Sequence, residues 1–186
     1  MNYHNITHED MNNGDGLRVV LWTAGCSHHC KGCQNPQTWD PNSGIPFDDA
    51  AFEEIRNELS KDYISGITFS GGDPLYCENR DAIEHLIRTI KNEFGDSKNI
   101  WLWTGFLWED IKDLPFIDLI DVIVDGPFIL EERDISLKWK GSKNQRVIDV
   151  KASLKTNDVI LYCDDSNNED ISTQLFNAKD ASCCND

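Results

Sequence analysis

The sequence predicts a single α/β domain built around a largely parallel sheet, and three observations carry that prediction. Short apolar runs rich in β-branched and aromatic residues recur along the chain. Amphipathic helical patterns lie between them. Several of the runs are apolar at consecutive positions rather than alternating, as in strands buried on both faces.

In chain order, RVVLWT (residues 18–23) is the first strand, followed by a long loop. FDDAAFEEIRNELSKDY reads as a helix, with Phe52, Ile55 and Leu59 on one stripe and Glu and Lys opposite. ISGITFS (64–70) is the second strand. RDAIEHLIRTIKNEF places Ile83, Leu86, Ile87, Ile90 and Phe94 at spacings of three and four, a second helix. NIWLWTG (99–105) is a strand, LWEDIKDL a short helix, and LIDVIVDG (119–126) a fourth strand. QRVIDV (145–150) and DVILY (158–162) complete the set. Strands alternating with helices are the signature of βαβ units. There is no internal repeat and no low-complexity linker, so residues 1–162 are read as one domain. Residues 163–186 are acidic and poor in apolar side chains, and are expected to form a weakly ordered tail.

Composition narrows the function. A chain of 186 residues, 39% hydrophobic and 27% charged, can bury one real core. Its net charge of −16 argues against nonspecific binding of nucleic acid, which needs Lys and Arg on phosphates. The first residues, MNYHNITHED, hold no apolar signal region. The most apolar stretch, IWLWTGFLW, has nine residues and is too short to cross a bilayer. A cytoplasmic protein with reduced thiols is therefore expected. Seven cysteines cannot all pair within the chain, and clustered cytosolic cysteines more often bind metal or do chemistry.

The unusual residues fall in register with the strands. A cysteine loop follows the first strand, SGGDPL the second, WTG ends the third, and DGPF ends the fourth. In parallel α/β architectures, sites form just beyond the carboxyl ends of strands. These four loops are expected to converge on one edge.

The cysteine loop, AGCSHHCKGCQNPQTW, has the spacing C-x-x-x-C-x-x-C through Cys26, Cys30 and Cys33. Soft thiolates suit zinc or an iron–sulfur cluster. By spacing alone, three readings stay open. One is a zinc site completed by His28, His29 or Cys77. Another is a 4Fe-4S cluster with one iron left open for a ligand, by the logic of catalytic metal sites. The third is unliganded thiols. His28 and His29 themselves read as solvated loop residues rather than ligands.

The loop resembles the cysteine motif of the radical S-adenosylmethionine (SAM) superfamily. Together with NGDGLR, FSGGDPL, IWLWTG, VDGPF and WKGSKNQRVIDV, in this order, the resemblance narrows to the activating proteins of anaerobic ribonucleoside-triphosphate reductase, over about residues 1–162. Many superfamily members carry an aromatic residue before the third cysteine. This chain has Gly32, as that narrower family does.

The resemblance implies a partial, incomplete parallel β/α barrel of the radical SAM type. It implies that Cys26, Cys30 and Cys33 hold a 4Fe-4S cluster whose open iron is chelated by the amino and carboxylate groups of SAM. Reductive cleavage would give methionine and a 5′-deoxyadenosyl radical, which would take hydrogen from a glycine of the reductase. Gly32, Cys33, Gln34, Gly71, Gly72 and Asp73 fall where the family contacts SAM. The partners implied are the large subunit of the reductase and an electron donor such as reduced flavodoxin.

Plainer roles are weighed beside these. GGDP also suits a strand-to-helix turn with Pro74 opening the helix region, and Asn35-Pro36 suits a loop turn. Trp101 and Trp103 alternate on one strand and so share a face, where packing is expected rather than adenine stacking. Asp125 is read as structural. Lys138, Lys140, Lys143 and Arg146 form a basic cluster that could dock a partner. Lys140 stands where relatives commonly carry arginine, a residue with a different grip on carboxylates. Cys77, Cys163, Cys183 and Cys184 receive no role.

Overall fold

The computed structural model describes residues 1–162. The expected tail, with Cys163, Cys183 and Cys184, lies outside the described residues. The fold is a mixed α/β sheet of seven strands that does not close, ordered β3-β1-β2-β4-β5-β6-β7. The strands are β1 (Asn2–Asp10), β2 (Arg18–Thr23), β3 (Ile45–Pro46), β4 (Gly66–Gly71), β5 (Asn99–Trp103), β6 (Val122–Asp125) and β7 (Arg146–Asp149). The helices are α1 (Asp49–Leu59), α2 (Arg80–Phe94), α3 (Trp108–Ile111) and α4 (Val150–Thr156).

The four central strands, β2, β4, β5 and β6, are parallel, as their continuous apolar runs require. The edges depart from expectation. β1 and β3 are additional strands, antiparallel to what they pair with. β7, the QRVIDV run, is antiparallel to β6 rather than a further parallel strand. DVILY is not a strand. Its pairing with the sheet reduces to an isolated bridge, Ile148 to Leu161, with Ile160 and Leu161 exposed while Val159 and Tyr162 pack against buried side chains. α4 follows β7 directly because Asp149 caps it, accepting from Ala152 N at 2.8 Å.

Strand alternation divides the side chains between two faces. Val19 and Leu21, Ile67 and Phe69, and Ile100 and Leu102 pack with Ile55 and Leu59 of α1 and with Ile83, Leu86, Ile87 and Ile90 of α2. The helical stripes read from the sequence are the faces buried there. Asp48 starts α1 by accepting from Ala51 N at 3.0 Å, and Gly95 ends α2 at a φ of 57°.

The intervening residues form a smaller second cluster of Trp101, Val122, Val124 and Val147, flanked by Trp103, Trp139 and Tyr162. Trp101 and Trp103 do share a face, with ring centroids 5.7 Å apart. At the base of this face Arg18 is fully buried. It donates to Thr68 Oγ1 at 2.8 Å, Ile67 O at 2.7 Å and Asn99 Oδ1 at 2.6 Å, and lies 5.3 Å from the Trp101 ring. Burial pushes its guanidinium down to about 10. Gly14 packs on Arg18 and Trp101, and Thr68 Oγ1 donates to Asn13 O at 2.6 Å, which holds the 11–17 loop over this face of the sheet.

Candidate functional site

A cavity of about 480 Å³ opens at the carboxyl ends of the parallel strands, on the face opposite the helices. All four loops picked out by the sequence reach it. Cys26, Cys30 and Cys33 line it after β2, Gly71–Asp73 after β4, Thr104 and Gly105 after β5, and Gly126 after β6. Its floor is the inner face of the sheet, at Trp22, Ser70 and Trp103. Trp22 and Ser70 are direct register partners, so the pleat turns both toward the cavity.

The cysteine loop is held by its backbone. Gly25 N donates to Thr38 O at 2.7 Å, and Cys26 N to Trp39 O at 3.1 Å. The second loop sits on the first, with Gly72 N donating to Thr23 O at 2.8 Å and Asp73 N to Gly25 O at 2.7 Å. These contacts explain the glycine pair. A Cβ on Gly72 would lie 2.4 Å from Gly25 O, and one on Gly71, at a φ of 108°, would lie 2.5 Å from Thr23 N. What closely approaches these backbones is the end of β2 at Gly71 and the cysteine loop at Gly72.

All three thiols are free and half-buried. Burial raises the Cys26 thiol, partly opposed by hydrogen bonds from the backbone of His28 and His29. Asn35 N donates to Cys33 Sγ at 3.3 Å. Soft thiols sharing a cavity wall, with amides already turned to sulfur, are a donor set that fits an iron–sulfur cluster. Among the described residues, no three His, Cys, Asp or Glu side chains are gathered at the spacing of a single metal ion. The candidate fourth zinc ligands are also turned elsewhere. Cys77 is exposed and off the cavity wall, His29 packs edge-on against Trp39, and His28, although it lines the cavity, has its Nε2 against Asp73.

The remaining candidates separate clearly. Gln34 lines the cavity, whereas Gly32 does not. Gly32 holds a φ of 75°, and a Cβ there would lie 2.8 Å from Leu130 Cδ1. The Asp73 carboxylate is 1% exposed and already engaged. It accepts from Leu75 N at 2.8 Å, Gly105 N at 2.9 Å and Thr104 Oγ1 at 3.0 Å.

Asp125 is structural, as read. It is fully buried, accepts from Trp108 N at 2.8 Å at the start of α3, and pairs with Arg146. Arg146 also forks onto Glu109 and is raised by both acids. It is therefore withdrawn from the expected basic cluster. The rest of that cluster is dispersed. Lys138 lies over Trp139, Lys143 approaches Asp134, and Lys140 lines the cavity. Sequence reasoning missed Asn12, Asn13, Phe128, Leu137, Trp139 and Gln145 on the cavity wall. It also read His28 as solvated, although its side chain is only 18% exposed. The clue available for several of these was that NGDGLR and WKGSKNQRVIDV, which flank the wall, were already distinctive segments.

Residues 12–148 match the family model described as a 4Fe-4S single cluster domain. The chain is 46% identical over 149 residues to the anaerobic ribonucleoside-triphosphate reductase-activating protein of Enterobacteria phage T4, covering 79% of this chain and 93% of that one. The protein of the same name from Escherichia coli (strain K12) is 43% identical over 151 residues, 79% of this chain and 97% of its own. That of Haemophilus influenzae is 40% identical over 149 residues, covering 78% and 96%.

Proposed function

Because this chain belongs to the family of anaerobic ribonucleoside-triphosphate reductase-activating proteins, we propose that it installs a glycyl radical on such a reductase by radical SAM chemistry. The observation that carries the proposal is the meeting of Cys26, Cys30 and Cys33 with Gly71–Asp73 around one cavity. On this reading the open sheet is a partial β/α barrel of the radical SAM type.

The three cysteines would hold the 4Fe-4S cluster. SAM would lie across the cavity against Cys33, Gln34 and the Gly71–Gly72 backbone. Held by these cysteines, the cluster would supply the one-electron reduction, drawn from an external donor, that cleaves SAM to methionine and, after hydrogen is taken from a glycine of the reductase, 5′-deoxyadenosine.

The protein's own part is position. Asp73, spent on Leu75, Thr104 and Gly105, fixes the loops rather than gripping the ligand directly. Gly32 acts one step back, letting the cysteine loop turn past Leu130. Lys140, the one Lys or Arg among the described residues that line the cavity, would supply a positive charge near any anionic group bound there. The aromatic wall of Trp22, Trp103, Phe128 and Trp139 limits the water that would quench a radical. Reduced flavodoxin, or a donor like it, would supply the electron in the cytoplasm.

Anaerobic reconstitution tests the reading. The protein should take up about four irons and four sulfides per chain, turn brown, and cleave SAM when reduced. One tightly bound zinc with no acid-labile sulfide would reject it.

A further inference from the structure

His28 lies between two of the three cluster cysteines, two residues from each, and lines the cavity with them while its ring packs on the loops after β4 and β5. Nε2 is 2.8 Å from Asp73 Oδ2, a close polar contact without hydrogen-bond geometry. The ring meets Phe106 edge-on at 4.6 Å between centroids. It also covers Gly105 so closely that a Cβ there would lie 2.5 Å from His28 Cδ2 and 2.7 Å from Nε2. One imidazole thus touches the loop after β4 through Asp73 and the loop after β5 through Gly105 and Phe106.

Both receiving loops are braced independently. Asp73 ties to Thr104 Oγ1 and Gly105 N, Phe106 N donates to Thr104 Oγ1 at 3.1 Å, and the Arg80 guanidinium sits 5.3 Å from the Phe106 ring. The cysteine loop has backbone bonds at Gly25 and Cys26, and a local turn from Cys33 N to Cys30 O. Between Cys26 and Cys30, His29 packs on Trp39 within the same loop, and among the described residues it is His28 that reaches the loops after β4 and β5.

We propose that His28 is a positioning residue that seats the cysteine loop on the loops after β4 and β5, and so fixes where the cluster stands relative to bound SAM. The proposal rests on the reading of Cys26, Cys30 and Cys33 as cluster ligands. It gives His28 no bond to the cluster and no proton to move. Groups that orient metal ligands from behind typically change metal affinity or activity by about 10–100-fold when removed.

The test compares full-length wild type, His28→Ala, His28→Gln and Gly105→Ala. Gly105→Ala leaves the histidine in place but fills the seat of its ring. In the apo proteins, anaerobic alkylation with iodoacetamide is followed by mass spectrometry at each cysteine, with exposed Cys77 as internal reference. After reconstitution, the electron paramagnetic resonance spectrum of the reduced cluster is titrated with SAM.

His28→Ala and Gly105→Ala should speed alkylation of Cys26 and Cys30 relative to Cys77. Both should keep their iron but need about 10–100-fold more SAM for the same spectral change. His28→Gln should recover part of the shift. Wild-type alkylation ratios and SAM midpoints in both disruptive variants would overturn the proposal. If His28→Ala does not fold, Gly105→Ala decides by the same two readouts. If wild type itself shows no SAM-dependent spectrum, the radical SAM reading fails, and the alkylation ratios still decide the role of His28.

Discussion

The cysteines divide by environment rather than by residue type. Cys26, Cys30 and Cys33 line the cavity, while Cys77 is exposed on the loop outside it. Each of Cys26→Ala, Cys30→Ala and Cys33→Ala should abolish SAM cleavage, and Cys77→Ala should leave it at the wild-type level. An assay of 5′-deoxyadenosine release separates the two groups. Gly72→Ala is a subtler disruption, because its Cβ would press on Gly25 O and Thr38 O, which are backbone and cannot swing aside. It should separate the two loops and lower both cluster retention and SAM cleavage, read as iron content after a chelator challenge. Spacing alone made the three thiols legible. It could not show His28 turned inward, because a histidine in a polar loop gives no sign of the pocket it meets in three dimensions.

At the scale of elements, buried charge joins segments distant in sequence. Arg146 of β7 grips Asp125 of β6, and Asp125 in turn starts α3 through Trp108 N. Removing the guanidinium in Arg146→Ala leaves a fully buried carboxylate with only that amide, and should destabilise the fold by about 3 kcal/mol in urea unfolding. Asp121 works similarly. Burial by itself would raise its carboxyl, but Ile100 N, Lys91 and Lys151 outweigh burial and hold it below the usual range. Its contribution is therefore present above its unfolded value and lost as pH falls through the lower native one. Asp121→Asn should be less stable than wild type at neutral pH, with the gap closing below about pH 4. A stability difference that stays constant down through acid would contradict this.

The elements also show what sequence can carry. The central strands and both long helices were legible because their periods match their burial, as in the stripe from Ile83 to Ile90. β1 was not. Its register shifts between Tyr3 and Asn5 and again between Thr7 and Asp10, so its two buried apolar residues, Tyr3 and Ile6, fall out of alternation. DVILY has the composition of a strand but meets the sheet at a single bridge, and composition cannot tell an edge contact from a ladder.

Across the whole molecule, the parallel core fixes where chemistry can happen and the antiparallel edges shape the surroundings. β2, β4, β5 and β6 deliver four loops to one end, which was legible from their order alone. The far wall comes from the 11–17 loop, folded over buried Arg18, and from residues 126–145, which bring Phe128, Trp139 and Lys140 to the cavity. Those contacts depend on tertiary packing and left no periodic signal. Within the described residues no helix is long and apolar enough to cross a membrane.

The central claim is that this cavity makes a radical and hands it to a reductase. The most direct measurement is electron paramagnetic resonance of the anaerobic reductase after incubation with reconstituted protein, SAM and a reductant. A glycyl-radical signal on the reductase, absent when Cys30→Ala replaces wild type, is the result predicted. Turnover of SAM to 5′-deoxyadenosine with no radical on the reductase would contradict it.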